Sequence, residues 1–190
     1  MTVSVIPFNM PEPMEIPENI IQMLREMPAA AAVERAMEFL MQIEVAETMI
    51  YERVDASGNL GLGSVVAVDG ARAEELKALL EKEEFVGQPL VDADNSLAGK
   101  AFASQSALLV LGQVEEGVEN SLPAGINEFL LEGAQSGNIG FIYVLPLVGK
   151  DNRPLGALTL IRPATTGPLN HEQPNITERV RRELSAILEG

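Results

Sequence analysis

The side chains able to do chemistry are few and scattered in this 190-residue chain. There is one histidine, His171, and no cysteine. Thiolate nucleophiles, disulfides and iron–sulfur ligation are therefore excluded. His171 lies in Asn170-His171-Glu172-Gln173, just ahead of an expected helix. A lone imidazole without cysteines or grouped carboxylates makes no zinc site, and a water-exposed side chain near the helix cap is the simpler reading. Glu115, Glu116 and Glu119 lack the regular oxygen spacing of a calcium loop and read as a solvated acidic loop. Asp92, Asp94 and Asn95 alternate, but no glycine and no distal glutamate complete an EF-hand loop. Ser104 and Ser106 have no partner base. No catalytic residue and no metal site is expected, and no cofactor can be named.

The elements that must position any ligand are clearer. Residues 139–148 and 155–161 are two nearly unbroken apolar runs. A strand exposed on one face would alternate with period two, so these runs read as strands covered on both faces. The polar break between them is too short for a crossover helix and carries turn chemistry. This central hairpin has a companion in residues 46–54 and 60–68, joined by Asp55-Ala56-Ser57-Gly58-Asn59. Helices are expected at residues 18–27, 29–43, 71–84, 96–103, 125–136 and 175–189, with one more strand at 107–111. Residues 1–14, punctuated by Pro7, Pro11 and Pro13, read as an extended arm outside the core. Residues 1–28 thus form an arm and short helix, and 29–190 one domain. Paired hairpins make the class α+β, with a central antiparallel sheet of about five to six strands and helices on both faces.

Composition narrows the partners. Against 28 acidic residues stand 13 basic ones, a net charge of −15. Such a surface repels phosphate backbones and anionic lipid, so neither nucleic acid nor membrane is an expected partner. Arg179, Arg181 and Arg182 are the one local basic cluster, flanked by Glu178 and Glu183. No apolar run approaches the ~20 residues of a membrane span, and the N-terminus lacks the pattern of a signal peptide, so the cytoplasm is the expected location.

Two segments resemble the GAF domain, a sensory fold related to PAS. Leu97 to Val110, LAGKAFASQSALLV, is similar to that family's glycine-centred helix running into its middle strand. Phe141 to Leu147 followed by Pro154 to Leu160 is similar to its proline-containing strand and the Gly-containing strand after it. The resemblance covers about residues 29–190. Gly99 and Gly156 would allow close approach of a helix and of a bulky sheet neighbour. Pro146 should sit where its strand reaches an edge or bulge.

The resemblance implies a non-catalytic regulatory module. Covalent bilin and the methionine-sulfoxide reductase activity of this fold need cysteines, and haem would lack its usual ligands. The Asn-Lys-Phe-Asp-Glu set of cyclic-nucleotide binders is missing. A small-molecule pocket, if present, would be lined by Leu97, Phe102, Phe129, Tyr143 and Thr159. A homodimer would form through the terminal helices, with Ile20, Leu24, Val33, Met37, Leu40, Val180, Leu184 and Ile187 as its seam. Seven methionines between Met10 and Met49, with Met1, read as core filling or as an adaptable contact surface. The competing expectation is a scaffold for protein docking whose pocket is filled by Phe102 and Phe129. In either case the output passes through another protein, which the residues do not name.

Overall fold

The computed structural model describes residues 3–81, 88–89, 97–112, 136 and 139–190. Its centre is one antiparallel sheet. The strands are β1 (Val3–Phe8), β2 (Thr48–Val54), β3 (Asn59–Ala67), β4 (Gln88–Pro89), β5 (Ala107–Gly112), β6 (Phe141–Val148) and β7 (Pro154–Arg162). Their spatial order is β1-β5-β6-β7-β2-β3-β4, six full strands with a two-residue β4 at one edge. The helices described are α1 (Glu18–Glu26), α2 (Ala29–Gln42), α3 (Gly70–Leu80), α4 (Leu97–Ser104) and α5 (Gln173–Glu189). The helix expected at 125–136 and the loops at 85–95 and 112–123 fall almost wholly outside the described residues.

Each central strand feeds two cores. Met49, Tyr51, Tyr143, Leu145, Leu158 and Leu160 face α1, α2 and α5. Ile50, Leu108, Val110, Ile142, Val144 and Ile161 face the other way, with Leu76 of α3 and Ala101 of α4. This double coverage is why β6 and β7 read as unbroken apolar runs. The tight turn of the first hairpin is held by Asp55, whose Oδ1 accepts from the backbone of Ser57 at 2.8 Å and Asn59 at 2.9 Å. Asp69 caps α3 by accepting from Ala71 N at 3.0 Å. Asn170 Oδ1 accepts from Glu172 N and Gln173 N, both at 3.1 Å, at the start of α5. His171 is exposed in that turn.

Tyr51 explains two glycines. A Cβ on Gly63 would lie 2.4 Å from the Tyr51 ring, and one on Gly156 would lie 2.7 Å from it. The ring therefore lies across both neighbouring strands, over the space that their missing side chains leave. The bulky neighbour expected beside Gly156 is Tyr51.

The N-terminal arm is a correction. Val3–Phe8 is a full edge strand, paired with β5 from Val3↔Gly112 to Phe8↔Ala107. An edge strand needs only one ladder, so Pro7, with no N–H to donate, is tolerated there. The following segment is pinned to α5 as well: Met14 N donates to Asn175 O at 3.1 Å and Asn175 Nδ2 to Glu12 O at 2.7 Å.

The seam needs a second correction. Leu24, Val33, Met37, Leu40, Val180 and Leu184 are all fully buried within the single chain. Their helices spend those faces on their own sheet and on each other, so these six are intramolecular core. Ile20 and Ile187 alone of the eight stay partly exposed. Two members of the basic cluster are also paired, while Arg179 Nε has no hydrogen-bond partner among the described residues. Glu178, 2% exposed, accepts from Arg181 Nε at 2.6 Å and Arg182 Nε at 2.7 Å. Burial alone would push its carboxyl up, but those hydrogen bonds outweigh burial and hold it below the usual range. Glu183 pairs instead with Arg25 of α1.

Candidate functional site

Strand parity decides which expected pocket residues can meet. Thr159 alternates with Leu158 and Leu160, so it faces α3 and α4, and it is 7% exposed. Leu97, at the start of α4, packs against that same side of the sheet. Phe102 packs there too, against Leu60, Ala98 and Ala157. These three share one face. Tyr143 does not. It lies on the opposite face, where its hydroxyl accepts from Leu169 N at 3.1 Å and its ring meets Phe8 edge-on at 5.1 Å. A one-residue difference in parity puts a strand side chain on the other side, which corrects its assignment to the pocket. Phe129 lies outside the described residues.

The face holds one group that the sequence reading missed. Glu52 follows Ile50 by two residues in β2, so it points toward α4 from the middle of the sheet. In the β2–β7 ladder it stands opposite Ala157, while Thr159 stands opposite Ile50. Glu52 and Thr159 are thus diagonal neighbours on one face. No hydrogen bond or ion pair reaches the Glu52 carboxylate among the described residues. Burial pushes its carboxyl up to about 7. The residue as a whole is only partly exposed. The signal was available: in Thr48–Val54 the polar Glu52 falls on an inward position of a strand covered on both faces.

What the arrangement can do follows from its chemistry. A carboxyl that titrates near neutrality, set in apolar walls beside one hydroxyl, can accept a hydrogen bond or pair with a cation. Among the described residues no nucleophile and no second acid stands beside it. Among the described residues no group of three or more His, Asp or Glu stands close enough to hold a metal ion. No described helix is long and apolar enough to cross a membrane.

The pocket face also carries the features expected of the family. Ala98, Gly99 and Ala101 are the buried side of α4, a strip of small residues against the sheet. The β5–β6 ladder begins at Leu108↔Val144, so Pro146 lies beyond it, where β6 has become an edge.

No protein-family model and no curated protein sequence matches the chain. Solved structures do. A GAF domain/HD domain protein from Geobacter sulfurreducens superposes with a TM-score of 0.63 at 12% identity, covering 86% of this chain and 94% of that one. The GAF domain of a phosphoenolpyruvate-protein phosphotransferase from Coxiella burnetii gives 0.60 at 11% identity, covering 90% and 89%. A free methionine-R-sulfoxide reductase from Neisseria meningitidis, solved with its substrate, gives 0.57 at 14% identity, covering 90% and 85%. Identities this low speak for architecture alone. With the sheet order, the small-residue face of α4 and the proline at the β6 edge, they establish that this chain has the GAF fold.

Proposed function

We propose that the chain is a non-catalytic regulatory module that binds a small molecule on the α4 face of its sheet, with Glu52 as the polar anchor. The observation that carries this reading is the Glu52 carboxylate, without a partner among the described residues, beside Thr159 on a face otherwise built mainly of apolar side chains. A carboxylate in such a place favours a ligand with a protonated nitrogen, which would supply the missing charge partner. Leu97 and Phe102 would form the apolar wall. The absence of cysteine speaks against the redox chemistry of the Neisseria reductase. Residues 29–190 would be the sensory unit, with 1–28 an addition that extends the sheet by β1.

Self-association through the terminal helices remains part of the proposal, now carried by the partly exposed Ile20 and Ile187. Sedimentation at micromolar concentration decides it, and a strict monomer removes it. Phe102 favours a second reading, a docking scaffold, because its ring already packs on Leu60, Ala98 and Ala157 and fills part of the face. A thermal-shift screen of small amines at pH 7.5 separates the two. The ligand reading expects an amine that raises Tm in the native protein and not in Glu52→Gln. No shift with any amine favours the scaffold.

A further inference from the structure

A cleft cuts into the edge of the sheet, and Phe102 lines it from the α4 side. Its origin lies in the strand lengths. β5 begins at Ala107 and β1 ends at Phe8, but β6 runs on to Val148. The last residues of β6 therefore have no neighbour on that side among the described residues, and Pro146 removes the one N–H that would most need one. The notch is a cleft of about 290 Å³. The rings of Phe8 and Phe102 line it with Met10, and Arg181 reaches it from α5.

Arg181 is only partly used. Its Nε and Nη2 donate to Glu178 at 2.6 and 2.8 Å, and its Nη1 donates to Pro146 O at 3.0 Å. A guanidinium carries five N–H groups, so one on each terminal nitrogen is left without an acceptor among the described residues. Glu178 is shared with Arg182, which also feels the charge of Glu12.

Gln105 and Asn152 both line the cleft, and both hold left-handed backbone, at φ 51° and 57°. Glycine would adopt either conformation without strain. Both positions instead carry a primary amide, exposed at the mouth of the cleft. Gln105 directly follows α4 and Asn152 sits with Asp151 in the turn between β6 and β7, two places where left-handed backbone is ordinary.

We infer that this notch binds a small aryl carboxylate, its ring held by Phe8, Phe102 and Met10 and its carboxylate by the two spare N–H groups of Arg181. Two oxygens match two donors, aromatic walls match a flat apolar body, and the amides of Gln105 and Asn152 rim the opening. The volume, at the small end of ligand cavities, suits one ring rather than a nucleotide.

The test is an amide-resolved NMR titration of the full chain with phenylacetate, and with phenylacetamide as its uncharged match. Saturable shifts centred on Gln105 and Ser106 are expected, with the amide binding about tenfold or more weakly. Ser106→Trp fills the notch while leaving Arg181 in the sequence, and it should abolish binding. Replacing Arg181 alone would leave Glu178 short of a partner, so the pair Arg181→Gln with Glu178→Gln is used. It should keep the fold and erase the preference for acid over amide. The inference is overturned if phenylacetate does not saturate, if acid and amide bind alike, or if Ser106→Trp binds as the native chain does.

Discussion

Glu52 sets the chemistry at the scale of single residues. Its carboxyl has a folded value of about 7 against 4.5 in the unfolded chain. A group raised on folding contributes stability below its unfolded value, and that contribution is lost as pH climbs through the folded one. The unliganded protein should therefore weaken between about pH 4.5 and 7, by an amount on the order of 3 kcal/mol. Glu52→Gln should flatten this slope and be the more stable protein at pH 8, in urea unfolding at pH 5 and pH 8. Equal slopes in both proteins would show that Glu52 is not the group responsible. Glycine offers a sharper contrast of packing. Gly156→Ala meets the Glu52 carbonyl and the Tyr51 ring at 2.7 Å, whereas Gly61→Ala meets nothing within 4 Å. The first should cost about 1–3 kcal/mol and the second less than about 0.5 kcal/mol, read as changes in Tm.

At the scale of elements, the terminal helices belong first to the core. Leu184→Asp places a carboxylate where the native side chain is wholly buried, so it should unfold the chain rather than split a dimer. Ile187→Asp, at a partly exposed position on the rim of that core, should keep the fold and shift the sedimentation of an associated form. A folded Leu184→Asp protein would mean that α5 is not packed as described. Another tie is Arg162, 5% exposed at the end of β7. It donates to Glu44 O at 2.6 Å, Val45 O at 2.5 Å and Gly167 O at 2.9 Å, fastening the turn after α2 to the segment before α5. Lysine has no planar fork to reach three carbonyls, so Arg162→Lys should lower Tm by several degrees. An unchanged Tm would show that this corner needs no fork.

Much of this level was legible in the sequence. The two hairpins, the capping turn before α5 and the edge position of Pro146 follow from local pattern, because turn chemistry and proline geometry act over a few residues. What was not legible depends on which side a chain passes. β1 looked like an arm because three prolines outweighed a short apolar strand whose partner lies a hundred residues away. The seam failed because an amphipathic stripe shows that a helix must cover something, not whether the surface is its own. Tyr143 and Glu52 both turned on strand parity, which apolar runs covered on both faces conceal.

The whole molecule is one sheet with two unequal faces. One is sealed by α1, α2 and α5 with aliphatic side chains and buried ion pairs. The other, under α3 and α4, holds small residues, Thr159 and the Glu52 carboxylate, which has no partner among the described residues, and it is there that we propose a guest binds. Native mass spectrometry of the protein purified from its own host, beside Glu52→Gln prepared in the same way, tests this most directly. Extra mass on the native chain that is missing from the variant is the expected result. Bare mass for both, from folded protein, would contradict it.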